Sequence, residues 1–157
     1  MLRNPRVWAY AAGWWLIVAG LVQLASHVWG VHLEHAMLGQ RQFAMEAMKQ
    51  AFGLEPLRPS LWRVHRMLGT SVGLLLVFAG LVPTVLAFSG APGRVLASCA
   101  LLGTVFWTVA FGYYAFVDPV ILPLLAAGGA VPLHGILWLT ATGADATTGG
   151  KASASES

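Results

Sequence analysis

Long apolar runs separated by short polar breaks organise this chain. The stretches 7–26, 67–88, 95–117 and 120–141 contain no Asp, Glu, Lys or Arg. At 1.5 Å per residue, a helix of about 20 residues reaches about 30 Å, the thickness of a hydrocarbon core. In lipid such a run satisfies its own backbone amides by coiling into a helix. The pattern predicts an all-α fold, a four-transmembrane-helix bundle over 1–142. The stretch 143–157, rich in Gly, Ser, Ala and Thr, is predicted to be a disordered tail. The first run is nearly a full span and lacks a small-residue cleavage site in the usual place, so it is expected to be retained as an anchor.

His27 to Arg66 is the one long connection, and it has a pattern of its own. Counting at 3.6 residues per turn from Met37 puts Met37, Leu38, Ala44, Met45, Met48, Ala51 and Phe52 on one side. Gln42, Glu46, Lys49 and Gln50 lie opposite; Arg41 falls inside the apolar stripe and Phe43 outside it. This predicts an amphipathic helix over about 36–52, lying on the membrane surface or capping the bundle. Its Met-rich face also suits a partner protein. Pro56 and Pro59 end it, and Ser60 is the expected N-cap of the second helix.

The second run is the expected packing centre. Gly69 and Gly73 are spaced Gly-x-x-x-Gly, and Gly80 follows on nearly the same face. On the first run, Gly13 and Gly20 repeat at seven. Apolar side chains gain little from hiding in lipid, so small residues that let backbones approach hold helices together. These five glycines are the predicted helix-packing positions, with packing inside one bundle favoured over a specific dimer. Pro83 should bend the second helix near its far end. Ser89 to Gly93 reads as a turn, Asp118-Pro119 as a shorter one, and Pro123, Gly128-Gly129 and Pro132 interrupt the fourth run.

Composition agrees with the pattern. The 157 residues are 57% hydrophobic and 10% charged, with a mean hydropathy of +0.71. A soluble domain carries about a quarter charged residues. The single cysteine, Cys99, excludes an intrachain disulfide. The net charge is +3, and the arginines cluster at run boundaries, which suits lipid headgroups rather than nucleic acid. Four spans place both termini on one side. Arg3, Arg6, Arg94 and Lys151 share that side, against Arg41, Lys49, Arg58, Arg63 and Arg66 diluted by Glu34, Glu46, Glu55 and Asp118. Weighting the first helix most, the termini are expected in the cytoplasm.

The candidate chemistry rests on histidine. His27, His32, His35 and His65 fall on one side of the membrane. His32-Leu-Glu-His35 offers two imidazoles one helical turn apart, and with Glu34 and His65 makes a candidate metal set for Zn or Fe. The competing reading is an interfacial network of hydrogen bonds and ion pairs joining the loop to the second helix. His134 lies about 21 Å into the fourth run. An ionisable group at that depth is a candidate site for a haem or a pigment magnesium. The competing reading is a core histidine satisfied by a nearby carbonyl, since Pro132 has no N–H for the carbonyl of Gly128. His27 and His65, on the order of 20 Å from His134 along the membrane normal, are at similar depth to each other and form the other candidate cofactor pair. Trp14, Trp15 and Trp107 sit deep enough to line a groove for a lipid, carotenoid or quinone, or else face lipid.

The spans hold no fixed charge, which argues against proton pumps and ion-coupled carriers. No Ser-His-Asp set, Gly-rich phosphate loop or paired carboxylates points to a hydrolase or kinase. Three stretches, Gly20-Leu-Val-Gln-Leu24, Glu46-Ala-Met-Lys49 and Trp62, resemble small bacterial four-span integral membrane proteins of uncharacterised function. That resemblance implies the fold and carries no catalytic residues. The expectation is therefore a non-catalytic subunit of the bacterial cytoplasmic (inner) membrane. It would pack against other membrane protein subunits of a larger respiratory or photosynthetic complex and help its assembly. The alternatives are a haem-, pigment- or quinone-binding redox protein and a metal-dependent membrane enzyme.

Overall fold

A computed structural model describes residues 4–33, 47, 61–116 and 121–153, with side chains placed for 4–26, 47, 64, 66–116 and 122–143. Four helices are described over their full length: α1 (Pro5–Leu33), α2 (Leu61–Phe88), α3 (Gly93–Phe116) and α4 (Ile121–Ser153). The described residues contain no strand. Each helix includes a segment long and apolar enough to cross a membrane: Pro5–Ser26, Arg66–Phe88, Gly93–Phe116 and Leu122–Gly143. The chain thus has the make-up of a multi-pass membrane protein. The surface helix expected over 36–52 lies outside the described residues apart from Ala47.

Two helices run on past their apolar spans. α1 continues past Ser26 to Leu33, so His27 and His32 stand on that helix rather than in a connection. The polarity of Gln23, Ser26 and His27 marks where lipid ends, not where backbone hydrogen bonding ends. No proline interrupts that stretch, and Ser26 donates its hydroxyl to Gln23 O at 2.7 Å. α4 likewise runs on through Gly143 to Ser153, past the expected start of a disordered tail, with no proline after Pro132.

Local chemistry sets the ends at the first turn and between α2 and α3. Asn4 caps α1: Arg6 N–H donates to Asn4 Oδ1 at 3.0 Å, with Pro5 at the first helical position. α2 ends in a Schellman motif. Ala91 N–H donates to Leu86 O at 3.0 Å and Gly90 N–H to Ala87 O at 3.4 Å. Gly90 sits at φ +74°, the left-handed region that a side chain disfavours. Pro92 then prevents continuation of the helix.

The chain divides into two compact units, Met1–Ala19 with Val77–Ser157, and Gly20–Leu76. The first draws on all four helices. Ala9, Ala87, Leu96, Ala97, Ala100, Leu137 and Ala141 form its core cluster, with Trp8, Tyr10 and Leu86 packed against it. A core this rich in alanine brings helix axes close, the kind of contact that drives association in lipid. Pro83 is fully buried in the same unit. In the second unit, a Cβ at Gly73 would lie 2.7 Å from Leu24 Cγ and 3.2 Å from Gly20 O, so glycine is what permits that α1–α2 approach.

Six Ser and Thr hydroxyls inside the spans are absorbed by their own helices. Ser71, Thr84, Ser98, Thr104, Thr108 and Thr140 each donate to the carbonyl four residues back, at 2.7–3.0 Å. Satisfied this way, they present no unpaired O–H to lipid.

Candidate functional site: the imidazole between α3 and α4

The mid-membrane stretch of α4, Ala126-Ala127-Gly128-Gly129-Ala130, is built from small residues. Pro132 removes the amide that would have served Gly128 O. Into this thin part of the helix pack three rings. His134 is 3% exposed, and its Nδ1 lies 2.9 Å from Ala130 O. A carbonyl only accepts, so Nδ1 carries the proton and donates; in the neutral ring Nε2 is then the lone-pair nitrogen. The acceptor is Ala130 O, one turn back, rather than the carbonyl that Pro132 leaves without its amide.

Across the seam the ring lies on Gly103 of α3. A Cβ at Gly103 would run into His134 Cδ2 and stand 2.8 Å from Nε2. The lone-pair edge of the imidazole therefore abuts helix backbone. From α1, Trp15 donates its indole N–H to Ala126 O at 3.0 Å, and a Cβ at Gly129 would run into that indole. Phe111 of α3 covers Gly128, where a Cβ would be 3.2 Å from Phe111 Cε2. Trp107 is buried at 8% exposure and meets Phe106 edge-on, centroids 4.9 Å apart.

These placements sort the predicted residues. Trp107 is buried, whereas Trp14 and Trp15 are exposed at 58% and 41%, the Trp15 ring edge lying over Gly129 with its N–H on Ala126 O. Gly13 meets Gly80: a Cβ on Gly80 would strike Gly13 O, and one on Gly13 would lie 2.6 Å from Gly80 O. Gly20 and Gly73 meet each other as described above, and Gly69 is half-buried. His27 and His32 lie on α1 and His65 on α2, with side chains outside the described set; Glu34 and His35 are outside it altogether. The metal set of His32, Glu34, His35 and His65, and the His27/His65 pair, therefore fall beyond the described side chains. Among the described residues no group of three or more His, Cys, Asp or Glu gathers to hold a metal. Cys99 is a free, half-buried thiol.

Sequence reasoning missed Gly103, and it marked Gly129 only as an interruption of the fourth run, not as a packing position. Each is a glycine in an apolar run. The available signal was that each lies opposite a large polar ring, which only the pairing of helices reveals.

No protein-family model, curated protein or solved structure matches the chain.

Proposed function

We propose that this chain is a non-catalytic integral membrane subunit that packs against and stabilises a larger membrane complex, respiratory or photosynthetic, in a bacterial inner membrane with its termini in the cytoplasm. One observation carries the reading. The ionisable imidazole deep in the spans has its proton committed to Ala130 O and its other edge against Gly103. With no fixed charge in the four spans, nothing there is arranged to bind or move an ion. Packing is what these segments offer. α3 supports the same reading, with only 17% of its most apolar window buried against 28% for the other three helices. Among the four described helices α3 is thus the least buried, and lipid or a neighbouring subunit would cover it.

Gentle extraction of the native membrane tests this: the chain should migrate in an assembly of fixed stoichiometry with other membrane subunits. A monomer that is stable and active without them would overturn it. A second reading draws on the His134 Nε2 lone pair, the electron pair that an axial ligand gives a haem or a pigment magnesium. Gly103 would have to move aside for such a group. An absorption spectrum of the native protein decides between the two, because a stoichiometric visible chromophore would establish the second reading and displace the first.

A further inference from the structure

Two arginines stand at one end of the unit Met1–Ala19 with Val77–Ser157. Arg6 stands in the first turn of α1, and its guanidinium reaches over the turn between α2 and α3. Nη2 lies 3.5 Å from the place a Cβ on Gly90 would take. Arg94 stands in the first turn of α3, just beyond that turn, and both residues are exposed. The amides of Ser89, Gly90 and Ala91 are all spent on carbonyls of α2, so the turn itself offers little to a ligand. α4 ends here too, carrying Asp145 and Lys151 beyond the span Leu122–Gly143, so among the described residues Arg6, Arg94 and Lys151 outnumber the one carboxylate at this end.

Depth decides what such cations meet. Both lie at the outer edge of a candidate span, Pro5–Ser26 and Gly93–Phe116. Trp8 and Tyr10, about 3 and 6 Å further along α1, pack against the core cluster at the level where aromatic rings mark the interface. The guanidiniums are thus placed among headgroups, where the available anion is phosphate. Arg binds phosphate through paired N–H donors, and an end where cations outnumber carboxylates favours a headgroup of net negative charge over a zwitterion.

We propose that Arg6 and Arg94, standing beside the Gly90 turn, form a contact for the phosphate of an anionic phospholipid in the leaflet at the amino-terminal end of the chain. The proposal goes beyond the packing role and stands whether or not a partner complex exists. Native mass spectrometry of the full chain in a neutral detergent, titrated with phosphatidylglycerol or phosphatidylcholine, tests it. The wild type should retain phosphatidylglycerol in preference to phosphatidylcholine. Arg6→Gln and Arg94→Gln should each lower phosphatidylglycerol affinity about fivefold and together roughly twenty-five-fold, with helicity unchanged. Arg6→Lys with Arg94→Lys should keep the preference, because the charge remains. Equal binding of the two lipids by the wild type, or unchanged affinity in the double Gln variant, would overturn the proposal. So would displacement of the lipid by millimolar inorganic phosphate, which would mark a site for a soluble anion instead.

Discussion

Two close helix contacts in the same unit solve one problem with different materials. Where α1 crosses α2, glycine meets glycine: the carbonyl of Gly13 occupies the space a Cβ on Gly80 would need, and Thr84 Oγ1 the space a Cβ on Gly13 would need. The hydroxyl of Thr84 is itself tied to Gly80 O at 2.8 Å. Where α3 meets α4, glycine faces a ring, and the ring is fixed from behind by its own helix through Ala130 O. Backbone cannot retreat from an added atom without moving a helix. A side chain can, if its anchor lets go. The first contact should therefore be the less forgiving of the two.

That difference ranks the expected effects. Gly80→Ala should be the most damaging, costing about 3 kcal/mol, because the methyl collides with the Gly13 carbonyl and with Ile17 N at 2.9 Å. Reversible unfolding in mixed micelles would read it as a large loss of stability, and a cost near zero would mean that α1 and α2 are further apart. Gly103→Ala should cost less, about 2 kcal/mol by the same assay, since the imidazole can yield at the expense of its hydrogen bond. Trp15→Phe keeps the ring over Gly129 but removes the N–H donated to Ala126 O; about 0.6 kcal/mol is expected, the mean for such bonds between membrane helices. Gly112→Ala should be neutral or stabilising by up to about 1 kcal/mol, since a Cβ there meets nothing within 4 Å and alanine is the better helix former. Destabilisation at Gly112 would show that this face of α3 is packed.

The contrast also explains what sequence could show. Gly13, Gly20, Gly73 and Gly80 were legible because each helix carries its own repeat of small residues, and two such faces have an evident use for each other. The depth of His134 and the amide lost at Pro132 were equally legible, and both pointed to a nearby carbonyl acceptor. Gly103 was not. A single glycine in an apolar run gives no sign of whether it meets lipid, backbone or a ring until the facing helix is known. The partner of the Trp15 indole N–H, Ala126 O on another helix, was hidden for the same reason. The end of the first span was legible at Ser26 because polarity at Gln23 to His27 reports the membrane boundary, while the helix itself follows its amides to Leu33.

The account stands on the imidazole of His134 acting as a packing element against α3. The direct test is the stability cost of Gly103→Ala measured twice, in the wild type and in a His134→Ala background. The account predicts about 2 kcal/mol in the first and less than about 0.5 kcal/mol in the second, since the ring the methyl strikes is gone. The same cost in both backgrounds would contradict it, because Gly103 would then answer to something other than His134.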